Sequence, residues 1–183
     1  VTQAQFNLGL IYYEGKYIKR NINKAIYFYS LAANQNYPQA QFNLGLIYHE
    51  GKYIKQNINK AILYYSLASN QNISQTQCNL GLIYYEGKHI TQDVNKAIHY
   101  YSLAAKQNYS QAHFYLGFIY YEGKYIKRDI NKAIHYFLLA ANQNVLQAQF
   151  NLGFIYYEGK YIMKNINKAI HYYQLAANQK DHL

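Results

Sequence analysis

A ten-residue motif returns five times at a fixed interval and limits what this chain can fold into. It first appears as Asn7-Leu8-Gly9-Leu10-Ile11-Tyr12-Tyr13-Glu14-Gly15-Lys16, and its central glycines, Gly9, Gly45, Gly81, Gly117 and Gly153, are each 36 residues apart. A fixed period of about 20–50 residues is typical of solenoids and other repeat arrays. The 183-residue chain therefore consists of five units, over residues 1–36, 37–72, 73–108, 109–144 and 145–180, followed by three further residues.

Each unit contains two segments whose apolar residues recur at helical spacing, and no segment alternates as a strand would. The first segment, helix A, covers residues 3–14 in the first unit, and Gly15 follows where a left-handed residue ends a helix. After a connector of residues 16–20, Asn21 is the expected N-cap of helix B, which covers about residues 22–34. The sequence therefore predicts an all-α chain of ten antiparallel helices joined by short links.

Residues that are costly inside a helix predict how the helices pack. A glycine in mid-helix costs about 1 kcal/mol relative to alanine, so five Gly9-type residues predict that a neighbouring helix comes close there. The core side of helix B carries Ala25, Tyr29, Ala32 and Ala33. Asparagine, the second choice for a left-handed cap, ends the first four B helices at Asn36, Asn72, Asn108 and Asn144, and Lys180 breaks the pattern in the last.

Composition excludes several classes of protein. No apolar run approaches the roughly 18 residues of a membrane helix, and the single cysteine excludes a disulfide scaffold or a thiolate zinc site within the chain. Cys78 takes the position of Phe6 and its counterparts, which predicts a small apolar substitute. Because the chain opens in phase with the repeat and has no distinct final unit, we expect a longer array with further capping helices, or self-association.

The formal charge of +10 is concentrated in the connectors. Sixteen of the eighteen basic residues lie between Lys16 and Lys24 or in the four equivalent segments. Stacked units would align them along one edge, which could attract acidic partners or polyanions. The alternative is a solvated edge that reflects a lysine-rich and asparagine-rich composition.

The motifs of all five units resemble the Sel-one-like repeat (SLR), a relative of the tetratricopeptide repeat. The matching positions in the first unit are Ala4, Leu8-Gly9, Tyr12, Gly15, Asn21, Lys24-Ala25, Phe28-Tyr29 and Ala32-Ala33. The resemblance implies a right-handed α–α superhelix whose A helices line a concave groove, and a scaffold or adaptor that binds other proteins. Members of the family serve signalling, endoplasmic-reticulum quality control and host–microbe contacts.

The chain departs from the family pattern at three positions of every unit. Tyrosine or histidine replaces a connector glycine at Tyr17, Tyr53, His89, Tyr125 and Tyr161. Asparagine replaces glycine at the end of helix B, and leucine replaces a basic residue at Leu31, Leu67, Leu103, Leu139 and Leu175. The leucine series predicts either an exposed apolar strip for a partner or lateral packing against the next unit.

No constellation of residues that catalysis would need breaks the repeat, so the sequence predicts a protein that is not an enzyme. His99, His135 and His171 occupy one repeat position, and stacked units would hold them on the order of 10 Å apart, too far for a shared zinc ion. We therefore expect solvent-facing histidines, no metal site and no cofactor. The cysteine-rich relatives that have been linked to β-lactam hydrolysis carry cysteines that this chain lacks.

The presumed concave face of helix A is the better candidate for a binding site. At 100° per residue, Ala4, Gln5, Leu8, Gly9, Ile11 and Tyr12 share one face, and Gln3, Phe6, Asn7, Leu10, Tyr13 and Glu14 share the other. A side-chain amide both donates and accepts, so asparagines on this second face could pair with the backbone of an extended peptide. The predicted peptide-binding residues are Gln3, Asn7, Leu10, Tyr13, Glu14, Gln39, Asn43, Leu46, Glu50, Gln75, Asn79, Leu82, Glu86, Gln111, Tyr115, Phe118, Glu122, Gln147, Asn151, Phe154 and Glu158.

Two questions stay open at the level of sequence. Readers of nucleic-acid sequence vary their groove positions from unit to unit, and these positions are nearly constant, so sequence reading is disfavoured while non-specific polyanion binding at the lysine edge remains as the alternative function. The single cysteine favours a reducing compartment such as the cytoplasm, whereas glycosylation sequons at Asn72 and Asn108 would suit the endoplasmic-reticulum lumen.

Overall fold

A computed structural model describes residues 1–179, and the described part of the chain folds into ten α-helices with no strand. The predicted break in the cap pattern at Lys180 lies outside the described residues. The chain divides into two compact units, Val1–Ala97 and the part that begins at Ile98, and each is described by itself. The helices are α1 (Thr2–Glu14), α2 (Ile22–Ala33), α3 (Pro38–Glu50), α4 (Ile58–Ser69), α5 (Ser74–Glu86), α6 (Val94–Lys106), α7 (Ser110–Glu122), α8 (Ile130–Ala141), α9 (Leu146–Glu158) and α10 (Ile166–Asn178).

The helix ends confirm the predicted caps. The Asn21 side chain accepts a hydrogen bond from the Lys24 backbone N–H at 3.0 Å, and the residues equivalent to Asn21 cap α4, α8 and α10 in the same way. Gly15 ends α1 with φ 63°, and Asn36 adopts φ 58° after α2. Both values lie in the left-handed region, where glycine and asparagine are the least strained residues. The two-helix period thus follows from N-cap residues and left-handed residues that recur at the same positions of successive repeats.

The core lies between the paired helices and follows the predicted faces. Ala25, Tyr29 and Ala32 of α2 are completely buried. From the second repeat onward, the face of helix A that begins with Leu8 in the first repeat is buried too: Leu44 is 0% exposed, whereas Leu8 is 39% exposed. The α3, α5 and α9 helices therefore pack against the B helices that precede them, as in a repeat array.

Gly9 provides the close approach that its position predicts. A Cβ atom at Gly9 would lie 2.5 Å from Cδ1 of Tyr29, and one at Gly45 would lie 2.4 Å from Cδ1 of Tyr65. The mid-helix glycine is therefore kept free of a side chain by the buried aromatic ring of the B helix in the same repeat.

Buried glutamines join successive repeats. Gln41, which is 1% exposed, donates from Nε2 to the Ala33 carbonyl at 3.2 Å, and Gln71 donates to Gln41 Oε1 at 2.8 Å. Gln149 and Gln179 repeat this arrangement in the last two repeats. These bonds satisfy carbonyl groups at the end of a B helix that the helix itself leaves unpaired. No helix within residues 1–179 is long and apolar enough to cross a membrane.

Candidate functional site

The predicted peptide-binding residues remain accessible to solvent. All 21 lie on A helices, and none of them is buried, whereas the opposite face of α3, α5, α7 and α9 is buried. We call this accessible surface, made by Gln3, Asn7, Leu10, Tyr13, Glu14 and the residues at equivalent positions, the A face. Its Gln3-type residues are all exposed, while its Leu10-type residues are half-buried except Phe154, which is exposed.

In the first repeat the polar side chains of the A face bond to each other. Gln3 donates from Nε2 to Asn7 Oδ1 at 2.9 Å, and the Tyr37 hydroxyl donates to Gln3 Oε1 at 2.6 Å. Tyr37 immediately precedes α3. The N-terminal ends of α1 and α3 are thereby linked across the A face.

In the second and third repeats the A-face asparagines lie above buried tyrosines. The hydroxyl groups of Tyr29 and Tyr65 are buried and have no hydrogen-bond partner. Burial raises the pKa of Tyr29 to about 12, and the nearby Asn43 side chain partly opposes this rise. The two side chains do not meet the geometry of a hydrogen bond. Burial also raises the pKa of Tyr65, with Asn79 acting in the same opposing way. Each half-buried asparagine thus lies near a buried hydroxyl and influences its pKa, although the two groups do not form a hydrogen bond of good geometry.

In the later repeats, one member of the asparagine–tyrosine pair is replaced by another residue. Tyr115 takes the place of the asparagine and stacks on Tyr101 with ring centroids 4.9 Å apart. In the next repeat Asn151 returns, but the residue equivalent to Tyr29 is the completely buried Phe137, which has no hydroxyl. The asparagine–tyrosine pair is therefore complete at Asn43 and Asn79.

An arginine of the first connector fastens the first repeat to the second. Arg20 donates from Nε to the Tyr13 carbonyl at 2.8 Å and from Nη2 to the Glu14 carbonyl at 3.0 Å. Its Nη1 donates to the Tyr53 hydroxyl at 2.7 Å, and the guanidinium lies 4.7 Å from the centre of the Tyr53 ring. We call this arrangement the arginine clip. Its two carbonyl bonds satisfy groups at the C-terminal end of α1.

The same clip recurs between the fourth and fifth repeats. Arg128 bonds to the Tyr121 and Glu122 carbonyls at 2.8 and 2.9 Å and to the Tyr161 hydroxyl at 2.6 Å. Its guanidinium lies 4.5 Å from the centre of the Tyr161 ring. The sequence places these arginines on a basic edge but gives no sign of their tyrosine partners, because each pair is separated by 33 residues.

The lysines of the connector edge lie over tyrosine rings. In every repeat the ammonium group of the Lys24-type residue lies 4.9–5.1 Å from the ring centre of the Tyr12-type residue. The distance from Lys24 to the ring centre of Tyr12 is 5.0 Å. The Tyr12 ring in turn stacks on Phe28, with centroids 5.7 Å apart. Arg20, Arg128 and ten lysines among residues 1–179 lie within 5.2 Å of the centre of a tyrosine ring. The basic residues therefore have an intramolecular role.

A pocket that the sequence analysis did not identify lies between the second and third repeats. It has a volume of about 270 Å³ and is lined by His49, Glu50, Gln56, Ile58, Ile83, Glu86, Lys88 and His89. Lys88 Nζ lies 3.1 Å from Glu86 Oε2. Burial lowers the pKa of His49, which keeps its imidazole largely neutral near pH 7. The available signal was a local break in the repeat, because histidine replaces tyrosine at both His49 and His89.

Other predicted features have clear positions. The Leu31 series is half-buried or exposed, with Leu67 and Leu175 at 38% and 37% exposure, so the hypothesis of a partner strip stays a prediction. His99 and its two counterparts are exposed, as predicted. Cys78 is buried, and burial raises the pKa of its thiol to about 12. Within residues 1–179, no three histidine, cysteine or carboxylate side chains are placed to hold a metal ion.

Comparison with protein families decides the classification. The Sel1 repeat model matches residues 2–37, 38–73, 74–109, 110–145 and 146–181. This chain belongs to the Sel1 repeat family. The predictions of family membership and of an all-α fold of Sel1 repeats are therefore confirmed. No curated protein matches the chain.

Solved structures of Sel1 repeat proteins share the fold. A Sel1 repeat protein from Oxalobacter formigenes is 32% identical, with a TM-score of 0.85 over 98% of this chain and 73% of that one. A protective antigen of uropathogenic Escherichia coli with an SLR fold is 28% identical, with a TM-score of 0.65 over 97% of this chain and 46% of that one. A cysteine-rich protein of Helicobacter pylori is 28% identical, with a TM-score of 0.55 over 73% of this chain and 96% of that one. Sel1 repeat proteins are in general non-catalytic scaffolds for protein interactions.

Proposed function

We propose that this Sel1 repeat chain is a non-catalytic scaffold that binds a segment of a partner protein along its A face. The observation that carries the proposal is the pair formed by a half-buried asparagine and the buried tyrosine hydroxyl beneath it, at Asn43 with Tyr29 and at Asn79 with Tyr65. Buried polar groups without partners are rare in native proteins, because each one carries a cost of about 1–3 kcal/mol. The half-buried asparagine amide is the part of each pair that a bound peptide group can reach.

The chemistry of the pair suits a peptide backbone. An asparagine amide offers two N–H donors and a carbonyl acceptor, so it can bond to the carbonyl and N–H groups of any extended chain. The half-buried Leu10-type residues on the same face add apolar area for the side chains of the segment. Backbone bonding would then contribute affinity and the apolar positions would contribute selectivity.

The experiment is a peptide selection against the immobilised chain, followed by calorimetric titration of the selected peptide. We expect Asn43→Ala with Asn79→Ala to weaken binding about tenfold or more, because two charge-neutral hydrogen bonds of about 1 kcal/mol each are lost. The matched control is Asn23→Ala with Asn59→Ala, two exposed asparagines in the first turns of α2 and α4. Equal affinity for the double variant and the wild type, with both folded by circular dichroism, would rule out peptide binding by these asparagines.

Binding of polyanions at the connector edge is the second candidate, and it is supported by the formal charge of +10. It is the weaker candidate because Arg20, Arg128 and the Lys24-type residues already bond to carbonyl groups or lie over tyrosine rings. A titration with heparin at low and high salt distinguishes the two functions. Heparin affinity that falls steeply with salt and is unchanged by the Asn43/Asn79 double variant would assign binding to the edge.

A further inference from the structure

The pocket between the second and third repeats occupies the place that an arginine clip fills at two other junctions. Gln56 stands at the position of Arg20, one connector further along the chain. Its Nε2 donates to the His49 carbonyl at 2.6 Å, which is the counterpart of the bond from Arg20 Nε to the Tyr13 carbonyl. Gln56 is too short to supply the other two bonds of the clip, which Arg20 makes to a second carbonyl and to a tyrosine hydroxyl.

The tyrosines of the clip are replaced at the same junction. His49 stands at the position of Tyr13, and His89 stands at the position of Tyr53. In the first junction the rings of Tyr13 and Tyr53 pack edge to face with centroids 6.3 Å apart. Three positions that meet in space therefore change together, from tyrosine, tyrosine and arginine to histidine, histidine and glutamine.

The changes accompany a larger cavity at this junction than at a junction where the clip is intact. The pocket between the second and third repeats has a volume of about 270 Å³, whereas the equivalent pocket beside Tyr121 and Tyr161 has about 170 Å³. The larger pocket still presents the groups that hold a guanidinium elsewhere in the chain, namely the C-terminal end of an A helix and a ring at position 89. It lacks the arginine and the tyrosine hydroxyl, and Gln56 already bonds to one of its carbonyl groups.

The charges around the pocket favour a cation. Glu50 and Glu86 line it, and Lys88 is paired with Glu86 at 3.1 Å. The last carbonyl groups of α3, at His49 and Glu50, add the negative end of the helix dipole. His49 is largely neutral near pH 7 and can accept a hydrogen bond from a donor in the pocket.

We propose that the pocket lined by His49, Glu50, Gln56, Glu86 and His89 binds an arginine side chain supplied by a partner protein. The ligand takes the place that Arg20 and Arg128 take at their own junctions. A planar guanidinium can stack flat on the His89 ring while its fork of N–H donors bonds to carbonyl and carboxylate groups in fixed directions, whereas a lysine ammonium acts as a point charge without that planar, bidentate geometry. The proposal rests on the proposed function only for the source of the arginine, a residue of the segment bound on the A face.

The test is a titration of the chain with N-acetyl-arginine amide, followed by NMR of the backbone and side-chain amide groups and of the histidine ring protons. We expect saturable shifts in the millimolar range, centred on the Gln56 side-chain amide and the His49 and His89 rings, since one exposed side chain binds weakly. N-acetyl-lysine amide is expected to bind at least about tenfold more weakly. Equal binding of the two amides, or no saturation with the arginine amide, would overturn the proposal.

Two variants locate the site. Gln56→Arg supplies the pocket with a guanidinium of its own and is expected to weaken binding of the arginine amide about tenfold or more. Gln92→Arg adds the same charge at the equivalent position of the next connector and is expected to leave the affinity unchanged. Similar effects of the two substitutions would mean that added charge, and not occupancy of the pocket, controls binding, and would contradict the proposal.

A variant that creates a second arginine-binding pocket provides the reciprocal test. Arg20→Gln with Tyr13→His and Tyr53→His copies the open junction onto the first pair of repeats and is expected to raise the number of arginine-amide sites from one to two. An unchanged number of sites in the folded triple variant would overturn the proposal. The Asn43/Asn79 double variant is expected to bind the arginine amide with the affinity of the wild type. Loss of peptide binding in that variant alone would therefore concern the asparagines of the A face and not the pocket.

Discussion

Single residues in this protein are constrained most strongly where a neighbouring side chain leaves no space for an additional Cβ atom. The glycine at the middle of each A helix shows this, since a helix interior ordinarily favours alanine over glycine by about 1 kcal/mol. At Gly45 the favourable helix propensity of alanine would be opposed by a contact of 2.4 Å between the new Cβ atom and Tyr65 Cδ1. The ring of Tyr65 is completely buried and cannot move aside freely.

We therefore predict that Gly45→Ala lowers the free energy of unfolding by about 1–3 kcal/mol, the usual cost of overpacking a core. Chemical denaturation followed by circular dichroism measures the change. Asn59→Ala, at an exposed position in α4, is the control and should change stability by no more than about 0.5 kcal/mol. Stabilisation by Gly45→Ala would show that the close approach of the ring does not govern this position.

His113 links stability to pH. It replaces the buried glutamine of the other junctions and is 4% exposed, and its Nδ1 has no hydrogen-bond partner. Burial lowers the pKa of His113, with a smaller contribution from His135. The folded state thus disfavours the charged imidazole. Stability that is present above the unfolded pKa of about 6.5 is lost as the pH falls through the lower folded pKa.

We predict that His113→Gln reduces the loss of stability between pH 7 and 5, because glutamine carries no charge and can bond to a helix-end carbonyl as Gln41 does. Thermal unfolding at several pH values measures this, and the gain in Tm should be larger at the acidic end. His171→Gln, at an exposed position, is the control. A pH dependence that is identical for His113→Gln and the wild type would remove His113 as its source.

At the scale of elements, the connectors hold successive repeats together through side chains as well as through core packing. The arginine clip joins the end of one A helix to a tyrosine of the next connector, 33 residues away. Its fork of N–H donors binds two carbonyl groups and one hydroxyl at once, a geometry that glutamine cannot reproduce. The connectors that contain Arg20 and Arg128 therefore bond directly to the next repeat, whereas the connector that contains Gln56 borders an open pocket.

We predict that Arg20→Gln lowers the free energy of unfolding by about 1–2 kcal/mol, because two of the three hydrogen bonds and the ring contact are lost. Lys19→Gln removes the same charge from the neighbouring exposed position and should have a much smaller effect. The midpoint of denaturant unfolding compares the two variants. Equal losses would indicate that the net charge, and not the clip, accounts for the change.

For the whole molecule, the repeat itself is the unit of stability. The α3, α5 and α9 helices pack against the B helices that precede them. In such an array the free energy of folding is approximately a sum over repeats and the junctions between them. Such a chain should tolerate the removal of one complete period, because the two ends that are brought together have the same sequence and conformation. A cut out of phase would instead remove part of a helix pair.

We predict that deletion of residues 37–72 leaves a cooperatively unfolding, helical protein with a lower Tm, because it joins Asn36 to Ile73 in the register of the array. Deletion of residues 37–66 is the out-of-phase control and should lose helical signal per residue. Circular dichroism with thermal melts measures both. Comparable loss of structure in the two variants would be evidence against the additive array of five units.

The sequence alone determined the ten helices, their ends, the buried faces and the family. These features depend on interactions over three to five residues, such as the bond from Asn21 to the Lys24 N–H and the helical spacing of Leu8 and Ile11, and the repeat states each of them five times. The accessibility of the A face followed from the same periodicity, although the asparagine–tyrosine pairs did not.

The tertiary structure decided which side chains from different repeats meet. Asn43 lies over Tyr29, Arg20 lies on Tyr53, and Gln56 faces His89 across an open pocket. No local pattern encodes these contacts, because they depend on how one repeat packs on the next and join residues that are 14 to 33 positions apart. His49, Gln56 and His89 replace two tyrosines and an arginine at separate positions of the sequence. Only the three-dimensional structure shows that these three residues line the same pocket.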